Sequence, residues 1–242
     1  MNADVILPLC ASNEASLYVS LVGLRTCQAS TTARILVLCN NTKEEPFPWR
    51  RRIQENCEAL GVRFHYVEGP FNIAKIFNLG TSMTKGDYIA YATADVIYYP
   101  NWFENIVDLW QDEPDYWTLS NYSFDTRIMP CVKRHTLPER KIVQTGNPSA
   151  GLNVFKRSSK YMWDEQFPLW EIDADLHYHL AHYGLKAGIC LNARADHMIQ
   201  GIRPHIDYAV NFGISDADKE FFTEPRIKLE KKWGLERPKE LQ

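Results

Sequence analysis

The chain lacks most of the short signatures that declare an enzyme class. No Gly-x-Gly-x-x-Gly follows its first apolar run, which disfavours a dinucleotide site. No Gly-Lys-Ser/Thr follows a strand-like run, so a phosphate-cradling nucleotidase loop is absent. No Gly-x-Ser-x-Gly elbow exists, which argues against an α/β-hydrolase. None of the six cysteines (Cys10, Cys27, Cys39, Cys57, Cys131 and Cys190) forms a Cys-x-x-Cys pair, so a zinc knuckle is not expected. No apolar stretch approaches the roughly 18 residues needed to span a bilayer, and no signal peptide opens the sequence. Reduced thiols, no transmembrane segment and a cytoplasmic location are the expectation. The net charge of -3 is wrong for indiscriminate binding to nucleic acid, although a local basic patch survives such an average. Internal repeats and low-complexity tracts are also missing.

Apolar residues make up 45% and charged residues 24% of the 242, the balance of a soluble globular protein of one large domain. That length buries a core without disulfides or metals. Residues 5–9 read as a short apolar strand. Ala11, Ser12, Asn13 and Glu14 break it and start a helix, with Asn13 or Ser12 as N-cap. Leu17, Leu21, Leu24 and Cys27 then recur at steps of three and four, the mark of an amphipathic helix. A second strand over 35–38 ends in the polar turn Cys39-Asn40-Asn41-Thr42. A helix over 50–60 is closed by Gly61, a third strand spans 62–67, and a helix spans 73–83. Strand–helix alternation with short turns implies βαβ units and a mainly parallel sheet. Right-handed crossovers then bring Leu9-Cys10, Cys39-Asn40 and Thr93 to Asp95 to one rim.

The stretch 86–101, GDYIAYATADVIYYPN, is the centre of this pattern. Its apolar run at 88–91 reads as a buried strand, and a helix over 102–111 follows Pro100. Asp95 stands at the carboxyl end of the strand, where open α/β sheets bind ligands. A carboxylate there is costly to bury unless something pairs with it. Asp95 is therefore either a functional centre or a cap on the turn.

After Trp117 the periodicity fades. Residues 121–148 form a long excursion rich in Pro, Arg and Asn, and long loops in compact domains are usually functional. Arg127, Lys133, Arg134, His135, Arg140 and Lys141 make it either a solvated loop or a contact for an anionic group. Strands are expected at 150–155 and 187–191, a helix at 172–183 closed by Gly184, and a charged helix at 216–233 carrying Phe221, Phe222, Ile227 and Leu229. Asp173 and Asp175 open the helix at 172, where the macrodipole favours negative charge. Capping alone explains them; a general base at Asp173 is the other reading. His197 is expected to follow a polar turn at 192–196. With Asp95 it makes a pair suited to Mn²⁺ or Mg²⁺ beside a diphosphate, and Asp196 and His205 are rivals for that role. His177, His179 and His182 lack the spacing of a zinc protease and read as packing or solvated residues.

In their order, three stretches resemble the inverting glycosyltransferases of family 2. The first runs from Asn78-Leu79-Gly80 through Gly86-Asp87-Tyr88 to Ala94-Asp95 and Pro100. The second is Asp164-Glu165-x-Phe167 followed by Trp170 to Leu176. The third is Lys231-Lys232-Trp233-Gly234. The resemblance implies a GT-A fold in one domain over 1–242: a nucleotide-sugar half over 1–112, an acceptor-side half over 113–215 and a C-terminal helix over 216–242. It implies Asp95 and His197 as metal ligands and Asp173 as the base that deprotonates the acceptor hydroxyl. It also implies Leu9, Cys10, Asn40, Lys75, Asn78, Thr93, Ala94 and Asp95 along the donor site. A UDP-sugar donor, a glycan acceptor and a Mn²⁺ or Mg²⁺ ion follow from the same likeness. Three positions depart from the family pattern: Ala94 replaces the first carboxylate of the usual pair, Asn40 replaces a base-contacting Asp, and Leu9-Cys10-Ala11 replaces Thr-Tyr-Asn.

Other readings remain beside this one: a glycosyltransferase acting on modified nucleic acid bases, or a non-catalytic nucleotide-sugar-binding module. A nucleotidyltransferase needs a basic, Gly-rich first loop, and residues 8–14 hold no Lys, Arg or Gly.

Overall fold

The first strand, β1 (Ala3–Leu9), is apolar apart from Asp4, which pairs with Arg34, because both of its faces are covered. Val5, Leu7 and Leu9 enter one core, while Ile6 between them enters another. The same period of two divides β2 (Arg34–Cys39) into Ile35, Val37 and Cys39 on one side and Leu36 and Leu38 on the other. It divides β4 (Tyr88–Tyr91) as well, with Ala90 on the first side and Ile89 and Tyr91 on the second. A sheet with a core on each face is the middle layer of an α/β/α sandwich.

This computed structural model describes residues 2–11, 13–40, 48–69, 72–122, 139–146, 152–159, 161–169, 171–198 and 219–235. The remaining strands are β3 (Arg63–Tyr66), β5 (Val96–Tyr98), β6 (Thr118–Tyr122), β7 (Ile142–Thr145), β8 (Asn153–Lys156) and β9 (Ala187–His197). The helices are α1 (Glu14–Ala29), α2 (Pro48–Ala59), α3 (Ile73–Met83), α4 (Trp102–Asp112), α5 (Ile172–Tyr183) and α6 (Lys219–Trp233, the last helix). The sheet runs β3-β2-β1-β4-β8-β6-β9-β5, with β7 added against β9. The pairs β3–β2, β2–β1 and β1–β4 are parallel, as the strand–helix alternation predicts. Beyond β4 the sheet turns mixed, since β8 runs antiparallel to both of its neighbours while β6 and β9 are parallel.

Most expected elements stand within a residue or two of their places, and 73–83, 88–91 and 172–183 stand without change. Asn13 is the N-cap of α1, accepting from the Ser16 amide at 2.8 Å in a reciprocal capping box. Gly61 and Gly184 close their helices with φ of 65° and 61°, the left-handed backbone that a glycine adopts without strain. One expectation is overturned. Residues 192–196 are not a turn; β9 runs unbroken to His197. Ala193 and Ala195 are fully buried while Asn192, Arg194 and Asp196 are half-buried, a strand alternation written with small residues that carry little apolar signal. β5, β6 and β7 were also unread. Each is short, and β7 lies within the excursion at 121–148, whose residues 123–138 and 147–148 lie outside the described ones.

Candidate active site

Strand order locates the crevice. From β1 the chain winds outward through β2 to β3, then returns to place β4 on the opposite side of β1. The carboxyl ends of β1 and β4 therefore flank a topological switch point, the place where open α/β sheets bind ligands. Leu9-Cys10 ends one strand, and Ala92 to Asp95 follow the other.

The turn bearing Asp95 is built tightly. Helix α1 lies so close that a Cβ added at Gly23 would sit 2.0 Å from the Ala94 carbonyl oxygen. Tyr98 returns from β5 to hold the turn from within: its hydroxyl donates to the Thr93 carbonyl at 2.9 Å and accepts from the Thr93 amide at 3.0 Å. Burial, with Cys27 beside it, pushes the Tyr98 phenol well up, so it stays a neutral donor and acceptor. The Thr93 hydroxyl is buried and makes no hydrogen bond. Asp95 is 8% exposed.

The extension of β9 brings the two expected metal ligands to one place. His197 is the register partner of Val96, and the Met198 amide donates to the Asp95 carbonyl at 2.8 Å. The backbones of Asp95 and His197 are thus neighbours although 102 residues separate them in sequence. Among the described residues no group of three His, Cys, Asp or Glu side chains gathers as a metal cage. The rival Asp196 is occupied: Arg194 grips its Oδ2 at 2.6 and 2.9 Å and stacks over the Tyr99 ring at 4.0 Å. His205 lies outside the described residues.

The other expected donor-site residues fall into two groups. Cys10 is close enough to Cys39 and Asp95 that, after burial, both raise its thiol pKa, which places it on the rim. Its carbonyl accepts from Ser20 at 3.0 Å. Leu9 is 1% exposed and sends its side chain into the core, so only its backbone can line the cleft. Asn40 is buried, and its amide donates to the carbonyls of Val67 at 2.8 Å and Gly69 at 3.1 Å, holding the turn after β3. Asn78 makes a structural tie between distant segments. Its amide oxygen accepts from the Trp163 amide, and its nitrogen donates to the Trp163 carbonyl at 2.8 Å and to Glu165 at 3.1 Å. It ties α3 to the segment leading into α5. Lys75 is exposed in the first turn of α3.

Of the two carboxylates opening α5, Asp173 is exposed and Asp175 is 1% exposed. A cavity of about 360 Å³, lined by Gln144, Thr145, Gly146, His177, Leu180 and Leu185, opens one turn further along α5. His179 packs against Trp117, Tyr161 and Tyr183, and its burial lowers its pKa, as suits a packing residue. Tyr98 and Gly23 were missed in the sequence; a Tyr in an apolar run and a Gly in a helix carry no signal of their own.

Residues 50–165 match the family model described as glycosyl transferase family 2. No curated protein matches the chain. The structure of GalNAc-T7 with UDP, GalNAc and Mn²⁺ superposes with a TM-score of 0.63 at 13% identity, covering 96% of this chain and 55% of that one. TarS of S. aureus superposes with a TM-score of 0.58 at 9% identity, covering 95% and 43%. The chain thus spans about half the length of the solved structures it resembles. At such identities the likeness is one of fold, and beside the family match it supports one conclusion: this chain has the GT-A fold, and its residues 50–165 resemble glycosyl transferase family 2.

Proposed function

We propose that the chain is an inverting glycosyltransferase, moving a sugar from a nucleotide-diphosphate donor, most simply a UDP-sugar, to an acceptor hydroxyl on a glycan. The observation that supports this reading most is the pairing of β5 with β9, which makes the backbones of Asp95 and His197 neighbours. Asp95 and His197 would hold a divalent ion, which supplies positive charge to the leaving diphosphate. The Thr93 hydroxyl, buried in the same turn as Asp95 and without a hydrogen-bond partner, is a further candidate to bond the donor. Asp173, exposed at the start of α5, takes the acceptor proton as general base while the hydroxyl attacks the anomeric carbon from the face opposite the leaving group. One displacement of this kind inverts the configuration. The cavity along α5 belongs to the acceptor side in this reading. No helix among the described residues is long and apolar enough to cross a membrane, and the proposed setting is the cytoplasm.

The test is a panel of nucleotide sugars scored by thermal shift and by slow release of nucleotide, with Mn²⁺ and then with EDTA. A metal-dependent shift with one donor, accompanied by nucleotide release, is the expected result. Silence toward every donor, with and without metal, would refute it. Binding without turnover favours a nucleotide-sugar-binding module, the reading that the absence of a carboxylate at Ala94 keeps open. Glycosylation of modified DNA bases stays a second acceptor class for the same panel.

A further inference from the structure

The start of α5 does not support itself. Its N-cap, Glu171, has a φ of 65° and makes no side-chain capping bond. A non-glycine residue in that left-handed region costs about 1 kcal/mol or more unless its surroundings impose it. The contacts that flank it come from α6. Arg226 reaches Glu171 at 3.4 Å, two residues before Asp173. Lys232 and Trp233 reach Asp175, two residues after it. Asp175 Oδ1 accepts from Trp233 Nε1 at 2.8 Å and lies 2.7 Å from Lys232 Nζ, while Oδ2 accepts from the Tyr161 hydroxyl. Lys232 also bonds Asp164 at 2.8 Å, so one ammonium joins two carboxylates. Leu229 sinks fully into the core, and the Trp233 ring lies 6.2 Å from Tyr178 and 5.7 Å from His182 on α5. A buried carboxylate is tolerated only when paired and hydrogen-bonded, and most of the donors to Asp175 come from α6.

We infer that α6 is a positioning element: it grips the side chains on both sides of Asp173, Glu171 and Asp175, and thereby fixes the turn of α5 that carries that carboxylate. The catalytic consequence rests on the reading of Asp173 as the base; the mechanical one does not. Arg226, Lys232 and Trp233 touch no reacting atom and act through the first turn of α5.

The test uses the full chain with Arg226→Gln and Lys232→Met. Arg226 is 45% exposed at its side chain, so its replacement leaves the fold intact even if Lys232→Met does not. Amide hydrogen exchange is read over residues 171–176 and over 3–9, and steady-state kinetics are read with whichever donor the panel identifies. Faster exchange at 171–176 with 3–9 unchanged is expected, with kcat lower by about 10- to 100-fold, the scale of a misplacement near 1 Å, and donor KM within about twofold. A merely structural helix would loosen both segments together and give no split between kcat and KM. Unchanged exchange at 171–176 in both variants overturns the clamp. Loosened exchange with unchanged kcat overturns its catalytic role. If the wild-type chain transfers no sugar from any donor, the proposed function fails by itself, and exchange still decides whether α6 holds α5.

Discussion

Gly23→Ala tests the site from a residue that contributes no functional group. The added Cβ would lie 2.0 Å from the Ala94 carbonyl oxygen, 2.7 Å from its carbon and 3.2 Å from its Cα. Ordinary contact begins near 3.5 Å, so helix and turn must part by roughly 1.5 Å. The obstacle is backbone held by Tyr98 and by β9, which cannot swing aside as a flexible side chain does. Overpacking of this kind costs about 1–3 kcal/mol, and contact with rigid backbone belongs at the upper end. Alanine recovers about 1 kcal/mol of helix propensity over glycine. The balance is a loss of about 2 kcal/mol, or about 4–8 °C in Tm for a chain of this size. Because Asp95 follows Ala94, the same displacement should lower metal-dependent turnover by about 100-fold. Urea denaturation, differential scanning calorimetry and the donor assay read these effects. A Gly23→Ala protein with wild-type Tm and wild-type donor affinity would refute the packing argument and the dependence of the site on it.

Asp173→Asn should abolish transfer while leaving donor binding within about twofold by calorimetry, since only the proton acceptor is removed; full transfer would show that another group is the base. Asp95→Ala should weaken donor binding in Mn²⁺ and leave the weaker binding in EDTA unchanged, and equal losses in both conditions would count against a metal role. Tyr98→Phe leaves the Thr93 amide and carbonyl without their partner; a stability loss of about 1–3 kcal/mol in urea is expected, and a neutral outcome would mean that water replaces the hydroxyl. Acid should unfold the protein partly through Asp4 and Asp164. Burial works against ionising both, but Arg34 with the amides of Gly86 and Lys85 lowers the Asp4 pKa, and Lys232 with Gln166 lowers that of Asp164. Their contribution is present above the unfolded value near 3.9 and is lost as pH falls through the lower folded values. Asp4→Asn should therefore flatten the stability profile below about pH 4, and a curve parallel to wild type would contradict the linkage.

The sequence by itself determined the elements whose signals are local. Continuous apolar runs of β-branched residues marked β1, β2 and β4, and caps and left-handed glycines marked the helix ends, because burial on both faces and backbone geometry act within a few residues. The rim holding Leu9-Cys10 and Asp95 followed from alternation and handedness alone. What lay beyond was decided by pairing between distant segments. Residues 192–196 read as a turn because Ala193 and Ala195 are small; pairing with β5, and of Arg194 with Tyr122 in β6, makes the stretch a strand and brings the backbone of His197 next to that of Asp95. The bonds of Asn78 to Trp163, 85 residues away, were likewise set by packing of distant segments. Asp173 and Asp175 were indistinguishable as a pair at a helix start. The tertiary structure separated them, because Lys232, Trp233 and Tyr161 converge on Asp175 and leave Asp173 exposed. A carboxylate's role depends on which donors reach it, and those donors are brought by packing of segments that the linear order keeps apart.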